Sequence, residues 1–431
     1  MLRYVLFVLL GLFFDGSVTH AAEVFMEMER SGFRKIPLMI MPFGGAPEHK
    51  EELTIVENVL RADLERSHVF ELIETRDIGI SADQGEVPGS AVMVKAAKAG
   101  VLVIAWAKLG TQDEGWVLES HAYETAKGDQ VVGVKIFGGK NKLRKLAHRF
   151  SDKLTLHFTG EKGVAQSRVV YISDLSGEKE VYIMDYDGAN KMRFTRDRSI
   201  AISPRWSYDA TKIVYTSYRK GNPNLYVIDL KTGERKEIAS FPGLNFSPSW
   251  SPLGDQLAFA TTKDGNAEIY LINADGTGLK RLTFNPSDDL SPSWSPSGKQ
   301  IAFTSDRGGG PQIYIMDADG SNVHRLTFDG NYNTSPAWSP KGDWIAYACR
   351  NEERRLKICA DRSDGSQSIA ITESGHWDDE SPSWALNGRE LIFTSSRFGK
   401  NQILSIHLDG TRLRRLTSNP ANNTSPSWSL R

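Results

Sequence analysis

The sequence predicts an all-β six-bladed propeller preceded by a small α/β domain. Three observations predict it. A short phrase recurs about every 44 residues, the two ends of the array hold complementary fragments of it, and a stretch of about 120 residues before it lacks the repeat.

The phrase is "SPxW". Its indoles fall at Trp206, Trp250, Trp294, Trp338, Trp384 and Trp428, in steps of 44, 44, 44, 46 and 44 residues. Seven residues after each of the first five comes an apolar run: "IVYTS" at Ile213, "LAFAT" at Leu257, "IAFTS" at Ile301, "IAYAC" at Ile345 and "LIFTS" at Leu391. These runs are β-branched and aromatic, as a half-buried pleated surface favours. A second run follows, such as "IYIMD" from Ile313, then "DADG" or a relative, then a short run ending in "RLT". The Asp-Gly pairs read as hairpin turns, since glycine tolerates positive φ. Each repeat therefore holds four short strands, and a four-stranded unit of this length is a propeller blade.

The ends predict closure. "VVYIS" from Val169 has Lys162 where the tryptophan should stand, while the "SPSW" ending at Trp428 has no second strand after it. Joining the two completes six blades over residues 164–431 and removes two open edges. The repeated indole is expected to pack between adjacent blades. Proline presets the backbone before it, and the serine hydroxyls can bond local backbone groups.

Residues 1–22 read as a secretory signal: Arg3, an apolar run from Tyr4 to Phe14 that is too short to span a membrane, and small residues ending in Ala21 and Ala22. No cysteine stands there to carry a lipid, so the expected mature protein is exported without a membrane span. Residues 23–163 form the α/β domain, in the order β-α-β-α-β-β-β-α. "PLMIMPF" from Pro37 is a strand; Leu53, Val56, Leu60 and Leu64 share one helical face, as do Leu143, Leu146, Phe150 and Leu154. Ahead of them Glu23, Val24, Phe25, Met26, Glu27 and Met28 alternate like a strand without a partner. Residues 23–34 are either a strand of the domain's own sheet or a segment that adds to another protein.

The chemistry is sparse. With 52 basic and 53 acidic residues, no broad nucleic-acid surface is indicated. Nucleotide, metalloprotease and nucleophile-elbow motifs are absent, and the nine histidines have no metal spacing. "MDYDG", "MDADG" and "DRSDG" are turns rather than calcium loops, lacking the remaining ligands. No metal and no cofactor is expected. Cys349 and Cys359 either form a disulfide or are two small buried hydrophobes on neighbouring strands.

One polar feature is left over. Two residues before "SP" stand Asn245, Asp289, Asn333, Asp379 and Asn423, with Ala201 in the first repeat. They either start strands after turns or form a polar ring, around one mouth of the channel, that receives a partner's loop or a cation. Their neighbours Asp288, Tyr332, Trp377 and Asp378 are of interface type.

An exported α/β domain carrying "IPLMIMPF…LERSHVFELIE" and six "SPxWSPxG…IAFTS…IYxMDxDG…RLT" blades together resemble the TolB family, over nearly the whole mature chain. The resemblance implies a periplasmic protein that is not an enzyme and belongs to the Tol–Pal envelope system, serving envelope integrity and outer-membrane constriction during cell division. It implies binding of the lipoprotein Pal through the propeller loops, of TolA through the mature N-terminal stretch, and contacts with other outer-membrane proteins. The rival readings are a secreted propeller enzyme, a peptidase or glycan lyase working in the channel, and a carbohydrate-binding propeller.

Overall fold

The computed structural model describes residues 35–80 and 87–430. The signal at 1–22 and the segment Glu23 to Met28 lie outside the described residues. The chain divides at Lys162/Gly163 into two compact units.

In the first unit five strands, β1 (Ile36–Ile40), β2 (Phe70–Ile73), β3 (Val103–Gln112), β4 (Gly115–Glu124) and β5 (Gln130–Gly139), form one sheet in the order β2-β1-β3-β4-β5. β1 runs parallel to β2 and β3, whereas β3, β4 and β5 are antiparallel. The uninterrupted apolar run of β1 follows from burial on both faces. Leu38 and Ile40 pack with Leu60, Leu64, Phe150 and Leu154 of the helices Lys50–Ser67 and Leu143–Thr159. Met39 and Met41 pack on the other face with Met93 and Ala96 of the short helix Ser90–Lys98. Between the two long helices His148 Nδ1 lies 2.7 Å from a carboxylate oxygen of Asp63, both buried.

The second unit is six four-stranded antiparallel sheets. The first blade pairs Asn423–Trp428 with Arg168–Ser173, so its inner strand comes from the far end of the chain. The inner strands of the other blades are Ala201–Trp206, Asn245–Trp250, Asp289–Trp294, Asn333–Trp338 and Asp379–Trp384. Each touches the next, and Asn423–Trp428 touches both Asp379–Trp384 and Ala201–Trp206, so the ring is closed. The outer strands are short, only two residues at Lys280–Arg281, His324–Arg325 and Arg414–Arg415. Cys349 and Cys359, on the second and third strands of the fifth blade, are joined as a disulfide.

The core lies between sheets. Trp428 packs with Val169 and Tyr171 of its own blade and with Ile392 and Ile403 of the sixth. Trp294 and Trp384 likewise join clusters shared by two blades. Hydroxyls reinforce these seams: the Trp338 N–H donates to Ser293 Oγ at 2.9 Å, and the Trp428 N–H to Ser383 Oγ at 3.0 Å, each in the preceding blade. Every inner strand also carries a bulge whose serine has positive φ: Ser203, Ser247, Ser291, Ser335, Ser381 and Ser425, between 50° and 57°. Positive φ is uncommon outside glycine. Here it recurs at one place in all six strands, directly before the proline, and re-aims the chain between its two pairing segments.

Trp428→Ala is expected to cost about 3–5 kcal/mol, because a fully packed indole is replaced by a void at the closing seam. Deleting residues 425–431 should lower the melting temperature further; an unchanged melting temperature would refute closure by this strand. A pH effect is also expected. Burial, followed by Arg412, pushes the His407 imidazole down to about 4 against the pull of Asp409. Between pH 6.5 and 4 the folded state then binds fewer protons than the unfolded chain, so stability is full above that window and falls as pH drops through it. Melting curves of His407→Gln should show a shallower decline over that range.

Candidate functional site

Each blade is an antiparallel meander. The loop entering its inner strand and the hairpin between its second and third strands therefore lie at the same end. That end is built by three repeated devices.

The first is the threonine after the outer strand, in "RLT" at Thr283, Thr327 and Thr417, "RFT" at Thr195 and "AIT" at Thr372. The backbone N–H groups of Val181, Ile269, Ile313, Ile358 and Ile403 donate to the hydroxyls of Thr195, Thr283, Thr327, Thr372 and Thr417, each at 2.9 Å. Several of these hydroxyls donate onward to the first residue of the third strand, to Glu180, Glu268 or Gln312. The hook lets an outer strand of two residues end cleanly and launch the loop.

The second is the Asn/Asp series. Asn245, Asp289, Asn333, Asp379 and Asn423 are at most 1% exposed. Asn245 Nδ2 donates to the carbonyls of Phe241 (2.8 Å) and Pro223 (3.2 Å), and its Oδ1 accepts from the Thr261 hydroxyl at 3.0 Å. Asn333 Nδ2 donates to Gln312 Oε1 and the Asp329 carbonyl; Asn423 Nδ2 donates to Gln402 Oε1 and Asn419 Oδ1. Asp289 is gripped by Arg307 through both oxygens, at 2.7 and 2.9 Å, and Asp379 by Arg397 at 2.6 Å. Burial pushes both carboxyls up, and hydrogen bonds and charge from Ser305 and Arg307, or from Ser395 and Arg397, pull them back. The polar-ring expectation is thereby corrected for these five side chains. They are bolts that hold the loop against the blade, because each is buried and makes its hydrogen bonds inward. The repeat with Ala201 is repaired by Asp197, whose fully buried carboxylate accepts from Tyr215, Ser217 and Arg235. Sequence reading missed Asp197, although its place four residues before Ala201 offered a signal.

The third device is what the loops leave on the surface. Asp288 is exposed, and Tyr332, Trp377 and Asp378 are half-buried. Asp288 accepts the Ala267 N–H, and Asp378 accepts the Leu356 N–H and pairs with Arg355 at 3.0 Å. The guanidinium of Arg350 lies 3.9 Å from the Tyr332 ring centroid, and that of Arg397 lies 4.8 Å from Trp377. Two further aromatics escaped sequence reading: Phe284 is 75% exposed and Phe328 73%, each under an arginine of "RLT", Arg281 at 4.7 Å and Arg325 at 5.0 Å. The signal was present, since Phe follows "RLT" only in these two successive repeats. Large apolar side chains held exposed on neighbouring loops and flanked by cations mark an interaction surface.

Elsewhere the possibilities for chemistry are few. The channel is lined mostly by serine, proline and tryptophan of the "SPxW" strands, with Arg205 and Tyr208 among them and, among the described residues, no carboxylate and no imidazole. The Asp-Gly turns are self-contained: Asp275 and Asp319 accept from Thr277 and Ser321, which hold both carboxyls below their usual range. Among the described residues no group of three or more His, Cys, Asp or Glu could hold a metal.

The fold and this face define a six-bladed propeller that presents a loop-built surface of exposed aromatics and arginines at one end. A family model described as the TolB beta propeller domain matches residues 156–431, and the chain belongs to that family. It is 37% identical over 194 residues to the Tol-Pal system protein TolB of Geobacter sulfurreducens, covering 44% of each chain. It is 33% identical over 192 residues to the protein of that name from Bordetella parapertussis, covering 44% of this chain and 42% of the relative. These matches span less than half the length of either relative. The structure resembles the crystal structure of TolB from Acinetobacter baumannii with a TM-score of 0.78 and 26% identity, over 92% of this chain and 97% of that one.

Asn245→Ala should cost about 1–3 kcal/mol, since it strands the Thr261 hydroxyl and two carbonyls. Phe328→Ala should stay within about 0.5 kcal/mol of wild type. Denaturant unfolding of the two variants checks the division between bolts and surface.

Proposed function

We propose that the protein is a periplasmic, non-enzymatic scaffold of the Tol–Pal system, joining Pal to TolA in envelope maintenance and in outer-membrane constriction at division. The observation that carries this reading is the conjunction of TolB family membership with the exposed aromatic–arginine face. Phe284, Phe328, Tyr332 and Trp377, with Asp288 and Asp378, form the Pal-facing surface. Their rings are already ordered by neighbouring arginines, so little side-chain freedom is lost on docking. No helix among the described residues is long and apolar enough to cross a membrane. The enzyme reading draws no support from the channel, where none of the described lining residues is a carboxylate or an imidazole.

TolA is assigned to residues 23–34. Pal and TolA are coupled to the extent that Pal's affinity differs between forms with this segment docked and free. Replacing Phe284, Phe328, Tyr332 and Trp377 together by alanine should weaken Pal binding at least tenfold in calorimetric titration without changing the circular dichroism spectrum. Wild-type affinity would sink the surface assignment. Deleting residues 23–34 should abolish TolA binding and leave Pal binding within a few-fold; normal TolA binding by the deleted protein would refute the N-terminal assignment.

A further inference from the structure

Among the described residues lining the central channel, one is charged, and the repeat does not explain it. The third position of "SPxW" faces the same place in every blade. It is Ser249, Ser293, Ser383 and Ser427 in four blades, Ala337 in another, and Arg205 in the second. Five small residues and one arginine thus share a channel cavity of about 220 Å³.

The serines have a structural task, since Ser293, Ser383 and Ser427 accept the tryptophan N–H of the next blade. Arg205 cannot do this. Among the described residues its one hydrogen bond runs from Nη1 to the carbonyl of its own neighbour Pro204, at 2.9 Å. A guanidinium has five N–H donors, so most of its capacity is unused. Among the described residues Arg205 enters no ion pair, and none of those lining the cavity carries a carboxylate. Burial alone pushes its pKa down to about 10, which leaves it cationic at neutral pH. The surface it keeps open faces the channel. An enclosed cation without a counter-charge is unfavourable, whereas one that meets an anion is compensated. The serine hydroxyls that accept from tryptophan keep their own protons to donate, so the wall formed by the described residues is rich in donors and holds no carboxylate.

We propose that the channel is a binding site for a small oxyanion, with Arg205 as its charged anchor and the surrounding serine hydroxyls as further donors. Phosphate, sulfate and small carboxylates share the required chemistry: several acceptor oxygens on a compact, negatively charged group. The cavity exceeds several times the roughly 30 Å³ share of one water molecule, so such an ion enters with part of its hydration. The site is distinct from the loop face and does not depend on what that face binds.

The test is thermal unfolding and calorimetry of the full mature chain with inorganic phosphate, sulfate or acetate, each against chloride at matched ionic strength. Wild type should show a saturable rise in melting temperature, as expected when a ligand binds only the folded state. Arg205→Ser gives the second blade the motif of four others, so it is expected to fold and to melt at or above the anion-free wild type. Its affinity for the same oxyanion should fall at least tenfold. Arg205→Lys should retain an intermediate response and serves as the comparison if the serine variant folds poorly. The relative strength of phosphate, sulfate and acetate identifies the preferred class. Absence of a saturable response in wild type overturns the proposal, and so does an equal response in Arg205→Ser, which would place the anion elsewhere.

Discussion

The seam between blades is the constraint on which the propeller depends. No single four-stranded sheet can cover its own apolar faces, so each blade is stable only when a neighbour covers it. The seam has an apolar centre, the indole of "SPxW" set among residues of two sheets. It has a polar edge, where an inner-strand hydroxyl accepts the next tryptophan's N–H. The serine bulge with positive φ lies at the same spot in all six inner strands, three residues before the indole it helps to aim. Change one of these and two blades are affected at once.

The loop face rests on the seams and divides labour between neighbouring residues. In "DD" at 288–289 the second carboxylate is locked to Arg307 and the first stays at the surface. In "YN" at 332–333 the asparagine is buried and the tyrosine lies under Arg350. Asp289 and Asn333 are the first residues of their strands, whereas Asp288 and Tyr332 are the last of the loops, so bolt and contact residue sit side by side without conflict. The loops are thereby tied to the blades beneath them.

Much of this was legible in the sequence. The period of 44 and the complementary ends disclosed the ring, because a repeated burial environment demands repeated residues. The helical stripes Val56–Leu60–Leu64 and Leu146–Phe150–Leu154 are fully buried, as their spacing implies. The Asn/Asp series was less legible. A polar residue after a turn reads equally as exposed contact or buried bolt, and only the partners decide: the Thr261 hydroxyl for Asn245, Gln312 for Asn333, Arg307 for Asp289. Those partners stand 16 to 21 positions away along the chain. Asp197 was hidden for the same reason, since it fills from a shifted position the place that Ala201 leaves empty. Residues 23–34 lie outside the described structure.

The first blade is sewn from the two ends of the repeat array, with Trp428 reaching back to Ser167 and Val169. This pairing has a temporal meaning as well as a spatial one. Contacts across some 260 positions form late, since the loop they close must be ordered before they contribute. Five blades can assemble while the chain is still emerging, but the first must wait for its inner strand. Until then Arg168–Ser173 presents an unpaired edge that another strand could occupy. The strand that completes the ring is thus also the one that ends the molecule's period of greatest exposure to misassembly.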